Sequence, residues 1–196
     1  MKILLVSDVE SPYIWDYFDR EKYKDIELII SCGDLKAEYL SFLVTMIKAP
    51  LFYVPGNHNK SYLEDPPEGC ESIDGRLIKY KNIRILGLGG CKGHSSAEYH
   101  YSDYEMKRRI QKLTPMLLWN RGFDILVSHS AAYGIGDDKD LCHEGFKSFN
   151  KLLDKYSPQY FIHGHVHLNY GIKPRITRYK DTTVINTYNH YILDFK

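Results

Sequence analysis

Apolar residues fall in short blocks along this chain, and each block stops at a glycine or a polar residue. Residues 2–6 and 26–31 are near-continuous aliphatic runs, the pattern of strands buried on both faces. Between them Ser11-Pro12 predicts the start of a short helix toward Phe18, because proline suits the first helical turn. From residue 37 to 47, Leu40, Leu43, Val44 and Ile47 recur at helical spacing, and residues 51–54 predict a third strand stopped by Pro55-Gly56. Strand–helix–strand–helix–strand is the mark of an α/β fold, whose ligands sit beyond the carboxyl ends of the strands.

The remaining chain continues in the same style. Residues 65–69 predict a loop, and residues 77–80 and 83–88 predict two strands joined by a turn at Lys81-Asn82. Residues 91–102 predict a loop rich in Ser, His and Tyr. Ser102 or Asp103 then caps a long helix reaching Trp119, with Met106, Ile110, Leu113 and Leu117 on one side and a kink or break expected at Thr114-Pro115. A strand at 124–128, a Gly- and Asp-bearing loop at 131–140, a helix marked by Phe146, Phe149, Leu152 and Leu153, and a strand at 160–162 follow. Short strands are expected at 170–172, 175–179, 183–186 and 191–195. No repeat, linker or low-complexity segment interrupts the 196 residues, which predicts one domain over 1–196.

Composition narrows the function. The net charge of +1 gives no basic domain or stripe, so a nucleic-acid partner is not expected. The one basic cluster, Lys107-Arg108-Arg109, reads as a solvated helix face. Cys32, Cys70, Cys91 and Cys142 form no C-x-x-C pair, so neither thiolate zinc sites nor thioredoxin-like chemistry is expected. The apolar start before Ser7 is too short for a signal peptide or a membrane span, so a cytoplasmic location is expected.

Five polar segments close five of the apolar blocks: Asp8-Val9-Glu10, Gly33-Asp34, Gly56-Asn57-His58-Asn59, His129, and Gly164-His165-Val166-His167. Each has an ordinary explanation when taken alone. Gly-Asp is a common turn, Asp8 could cap a helix, and His-x-His places two imidazoles on one side of any strand. Gathered beyond the strand ends, however, they form an oxygen and nitrogen ligand set suited to divalent metals.

In order and spacing these segments resemble the calcineurin-like metallophosphoesterases, whose pattern is D-x-H, GD, GNH-[DE], H and GHxH. The resemblance implies a four-layer α/β/β/α sandwich of two mixed sheets flanked by helices. It also implies two divalent metal ions, with Mn²⁺ first and Fe²⁺, Mg²⁺ or Zn²⁺ as alternatives. Asp8, Asp34 and His167, with Glu10 contributing, would hold one ion; Asp34, Asn57, His129 and His165 would hold the other. His58 would face the leaving group. Residues 130–137 also resemble a bacterial subgroup of the family. The expected activity is metal-dependent hydrolysis of a small phosphorylated substrate, more a diester than a monoester. The alternative is a non-catalytic binding or scaffold protein, as in a retromer subunit of the same fold.

Two positions depart from the pattern. Glu10 stands where the family has His; as a ligand it would add a third carboxylate and favour hard ions. Asn59 stands where the family has an acid beside His58. A carboxylate there would favour the charged imidazole, so Asn59→Asp is expected to extend activity to higher pH. Among the other histidines, His94 and His143 lie in loops that could rim the cleft and are the candidates for substrate contact. His100, His163 and His190 are assigned to surface or packing.

Overall fold

The computed structural model describes residues 1–93, 97–140, 143–169 and 173–196. The strand expected at 170–172 and the candidate His94 lie outside the described residues. In chain order the first strands are β1 (Lys2–Ser7), β2 (Ile26–Ser31), β3 (Leu51–Tyr53), β4 (Glu71–Ser72), β5 (Arg76–Tyr80), β6 (Ile83–Leu88), β7 (Cys91–Lys92) and β8 (His100–Tyr101). They are followed by β9 (Ile125–Ser128), β10 (Tyr160–His163), β11 (Ile176–Tyr179), β12 (Thr182–Asn186) and β13 (Asn189–Asp194). The helices are α1 (Pro12–Trp15), α2 (Arg20–Tyr23), α3 (Ala37–Ile47), α4 (Asp103–Trp119) and α5 (Lys147–Tyr156).

Two mixed sheets result. One has the order β13-β1-β2-β3-β4 and the other β11-β12-β10-β9-β6-β5, while β7 and β8 pair separately. In the first sheet only β13 runs antiparallel to its neighbour; in the second, β11 and β5 do so at the two edges. Strand periodicity sorts the side chains into layers. Ile3 and Leu5 of β1 face Ile125, Val127, Ile162 and Ile185 of the second sheet, forming the core between the sheets. Leu4 and Val6 point the other way, against Ile14, Tyr39, Leu40 and Leu43 of α1 and α3. On the far side, Leu86, Leu126 and Phe161 pack against Met106 and Leu117 of α4 and Phe149 and Leu152 of α5. The architecture is therefore the α/β/β/α sandwich, and each fully buried aliphatic contributes roughly 1.5–3 kcal/mol.

Three local expectations change. The helix opened by Pro12 stops at Trp15, because Asp19 caps a second short helix by accepting from Glu21 N at 3.0 Å. Pro115 neither kinks α4 into two pieces nor ends it. Pro115 and Gln111 both lie on its exposed face, so the carbonyl that proline leaves without a donor is open to solvent. A reciprocal cap between Ser102 and Glu105 starts this helix. Arg109 is not a solvated charge. Its guanidinium grips both oxygens of Asp74 at 2.6 and 2.7 Å and donates to the Gly89 carbonyl at 2.9 Å, while Asp74 accepts from Gly89 N. This pins α4 to the end of β6. Among the described residues no helix is long and apolar enough to cross a membrane.

Candidate metal centre

The carboxyl ends of β1, β2, β3, β9 and β10 meet at one end of the sandwich, and the five polar segments are the loops that leave them. Those loops are unusually tight. Asp8, Asp34 and His165 have φ of 65°, 57° and 66°, the left-handed region that non-glycine residues seldom occupy. Glycines let the loops touch. A Cβ on Gly56 would lie 2.2 Å from Asp34 Oδ1 and 2.7 Å from His129 Cε1, and one on Gly164 would lie 2.9 Å from Asp8 Oδ2. The glycines of the GD, GN and GH pairs are thus packing requirements of the centre, apart from any ligand role.

His129 is the buried hub, at 0% exposure. Its Nδ1 lies 2.7 Å from the Cys32 carbonyl oxygen and so carries the proton. Nε2 is then directed at two oxygens, Asp34 Oδ2 at 3.2 Å and Asn57 Oδ1 at 3.0 Å. A neutral imidazole has no second proton for two acceptors, so this convergence calls for a cation, either a proton or a metal. Ligand atoms of Asp34, His129 and His165 lie within 4.8 Å of one another, a spacing that one divalent ion with bonds of about 2 Å would close. The donor set fits such an ion.

Asp8 sits on the other side of His165, whose backbone N–H donates to both carboxylate oxygens at 3.0 and 3.2 Å. The Ser7 hydroxyl donates to Asp8 Oδ2 at 2.5 Å, and the Thr187 hydroxyl donates in turn to Ser7 Oγ at 2.8 Å. Asp34 Oδ1 accepts the His58 backbone N–H at 2.8 Å. Burial raises the Asp8 carboxyl over the opposing pull of His129. For Asp34 and His129, burial opposes the charged forms, but their contact outweighs it: the carboxyl is held down and the imidazole raised.

The structure brings Asp8, Asp34, Asn57, His129 and His165 together. His167 packs against Tyr188, with ring centroids 4.8 Å apart and the rings tilted by 39°. His58 is exposed and lines a cavity of about 460 Å³ with Asp8, Glu10, Asp34 and Lys36. Glu10 faces Lys36 at the cavity rim. Its carboxylate accepts from the Lys36 backbone N at 3.3 Å and faces Nζ at 3.5 Å, in the same cavity as Asp8 and Asp34. The N-terminus of α3 and an ammonium draw it there. Asn59 corrects the sequence reading. It is buried, its Oδ1 accepts from Asp34 N at 2.7 Å and Gly56 N at 2.8 Å, and its Nδ2 donates to Leu35 O at 2.9 Å. Both lone pairs are taken, so none is left to orient His58. His143 does reach the centre, its ring 4.8 Å from that of His165. Sequence reasoning missed Ser7, Thr187 and the Cys32 carbonyl, whose roles depend on neighbours far along the chain.

Two mixed sheets carrying an oxygen and nitrogen ligand cluster at their shared carboxyl end form the architecture of the metallophosphoesterases. The profile of the calcineurin-like phosphoesterases matches residues 1–169, and the chain belongs to that family. A lariat debranching enzyme of Arabidopsis thaliana is 26% identical over an alignment covering 62% of this chain and 37% of that protein. The chain therefore spans well under half the length of this curated relative. One solved structure superposes with a TM-score of 0.72 at 15% identity, covering 98% of this chain and 94% of the other. A 5'-nucleotidase from Candida albicans gives a TM-score of 0.58 at 13% identity, over 95% of this chain and 45% of that one. At such identities the likeness to solved structures is one of fold.

Proposed function

We propose that this protein is a metal-dependent phosphodiesterase that hydrolyses a small phosphorylated substrate at a pair of divalent ions. The observation that carries this reading is the direction of His129 Nε2, aimed at Asp34 and Asn57 while Nδ1 is committed to a backbone carbonyl. Asp34 would be shared by the two ions. Asn57, His129 and His165 would complete one position, and Asp8 and His167 would serve the other. Bound ions would supply Lewis acidity toward the phosphoryl oxygens and lower the pKa of water to near neutrality. The chain's own residues do the rest. His58, at the cavity mouth, meets the leaving-group oxygen. Ser7 and Thr187 hold Asp8 in place, and Asn59 ties the Asp34 loop to the Gly56 loop.

With Glu10 on Lys36, the third carboxylate that favoured hard ions is gone from the ligand set. Mn²⁺ remains the ion expected, and Fe²⁺ or Zn²⁺ suits the three imidazoles equally well in kind. The same turn of Glu10 favours a second reading, a metal-poor binding protein, because it leaves the first position one ligand short. Hydrolysis of an aryl phosphodiester beside its monoester, with Mn²⁺, Fe²⁺, Mg²⁺ or Zn²⁺, tests the choice. Diester turnover that collapses in Asn57→Ala supports the enzyme; no turnover with any of the four ions overturns it.

A further inference from the structure

Contacts order the residues of the centre. His58 N–H meets Asp34 Oδ1, Asp34 Oδ2 faces His129, the His129 ring lies 4.7 Å from His165, and His165 lies 4.8 Å from His143. His58 and His143 therefore close the two ends of this series of contacts. The 460 Å³ cavity opens at the His58 end, large enough for one alcohol arm of an ester.

At the other end His143 is held for a purpose that packing does not need. Both Asp140 carboxylate oxygens lie 2.9 Å from its Nδ1, and its backbone N–H also donates to Asp140 Oδ1 at 3.0 Å. The side chain keeps 32% exposure, so the ring is fixed but open to a ligand. Its loop is tied down on several sides. Asp137 accepts from Gly145 N at 3.0 Å, Asp138 pairs with Lys173, and Glu144 pairs with Lys92. With Nδ1 committed to Asp140, Nε2 is the nitrogen left to meet a ligand.

We infer that His143, aimed by Asp140, contacts the second arm of a phosphodiester, the arm that does not leave. Resting on the phosphodiesterase reading above, this assigns the preference for diester over monoester to one side chain. A monoester fills the His58 end and the metals but has no second alcohol arm to reach Nε2. Asp140 is a positioning residue, acting through the imidazole.

The test compares the metal-loaded wild type with His143→Ala and Asp140→Ala, on an aryl phosphodiester and its matching monoester. In His143→Ala, kcat/KM for the diester is expected to fall about five- to ten-fold, mainly through KM, as for a lost hydrogen bond to a neutral partner. The monoester value should stay within about three-fold, and Asp140→Ala should show a smaller loss of the same selectivity. Equal losses on both substrates, or no loss on the diester, would overturn the assignment. Calorimetry with diethyl phosphate and ethyl phosphate, alkyl esters too slow to turn over during a titration, separates the contact from catalysis. Should the wild type hydrolyse nothing, selective loss of diethyl phosphate affinity in His143→Ala would still support the contact, and unchanged affinity would refute it.

Discussion

Asn59→Asp is an almost isosteric change with two opposed expectations. Read from sequence, it restores an acid beside His58 and extends activity to higher pH. Read from structure, it removes the Nδ2–H that donates to Leu35 O beside the Tyr62 hydroxyl. The substituted carboxylate would keep an oxygen for Asp34 N and Gly56 N, but its second oxygen would stand about where Nδ2 does, 2.9 Å from a carbonyl that Tyr62 already supplies at 2.6 Å. Losing the Nδ2–H bond costs about 1 kcal/mol, and a buried carboxylate oxygen facing another acceptor costs about 1–3 kcal/mol more. Charge-assisted bonds from the two backbone N–H groups return roughly 1–2 kcal/mol. The net is a loss of up to about 3 kcal/mol, near 1.5 kcal/mol at the centre of these ranges, which at a usual urea slope lowers the unfolding midpoint by roughly 0.5–1 M. The loss must depend on pH. A carboxyl whose folded pKa is raised contributes full stability below its unfolded pKa of about 3.9 and loses it as pH rises through the folded value. At roughly 1.4 kcal/mol per unit, the deficit should open between about pH 4 and pH 6 and be complete by about pH 7.5. Urea unfolding of EDTA-treated protein, followed by tryptophan fluorescence over that range, measures it. A variant as stable as wild type at pH 7.5, or a deficit that ignores pH, would refute the reasoning.

Other outcomes follow from the same geometry. Gly56→Ala should lower metal affinity more than ten-fold by calorimetry, because its Cβ would strike Asp34 and His129. Glu10→Ala should leave metal stoichiometry unchanged by elemental analysis, since the carboxylate is engaged with Lys36. His163 is buried and its imidazole is pushed down to about 4 by that burial. Its neutral form stabilises fully above about pH 6.5, and stability should fall by about 1.4 kcal/mol per unit as pH drops toward 4; His163→Phe should flatten that slope in urea titrations. Arg109→Ala should cost about 2 kcal/mol by urea unfolding, because Asp74 loses its bidentate partner in a half-buried setting.

How far the sequence speaks can be seen residue by residue. Aliphatic runs stopped by Gly-Asp, Gly-Asn or His located β1, β2, β3, β9 and β10, and the polar residues they deliver to one end of the sandwich follow at once, because a strand end is a local event. The orientation of Glu10 was not legible. It depends on where the first turn of α3 docks, which is a matter of packing between Leu4, Val6 and the helix. Asn59 was misread for a similar reason. Its partners, Asp34 N and Leu35 O, belong to a loop some 25 residues earlier in the chain. Arg109 looked like solvated charge because Asp74 is 35 residues away. The break after Trp15 was the exception, since Asp19 is a visible cap that a longer helix would have swallowed.

The cluster also joins parts that apolar contact alone would leave to slide. Asp8, Asp34 and Asn57 leave the first sheet, whereas His129, His165 and His167 leave the second. An ion held between the two sets would be a rivet through both plates of the sandwich at one end, while the opposite end is held by side-chain packing. Under load, or in slow hydrogen exchange, the loaded protein should open from the end away from the ions. Chelation should let the two sheets part from either side.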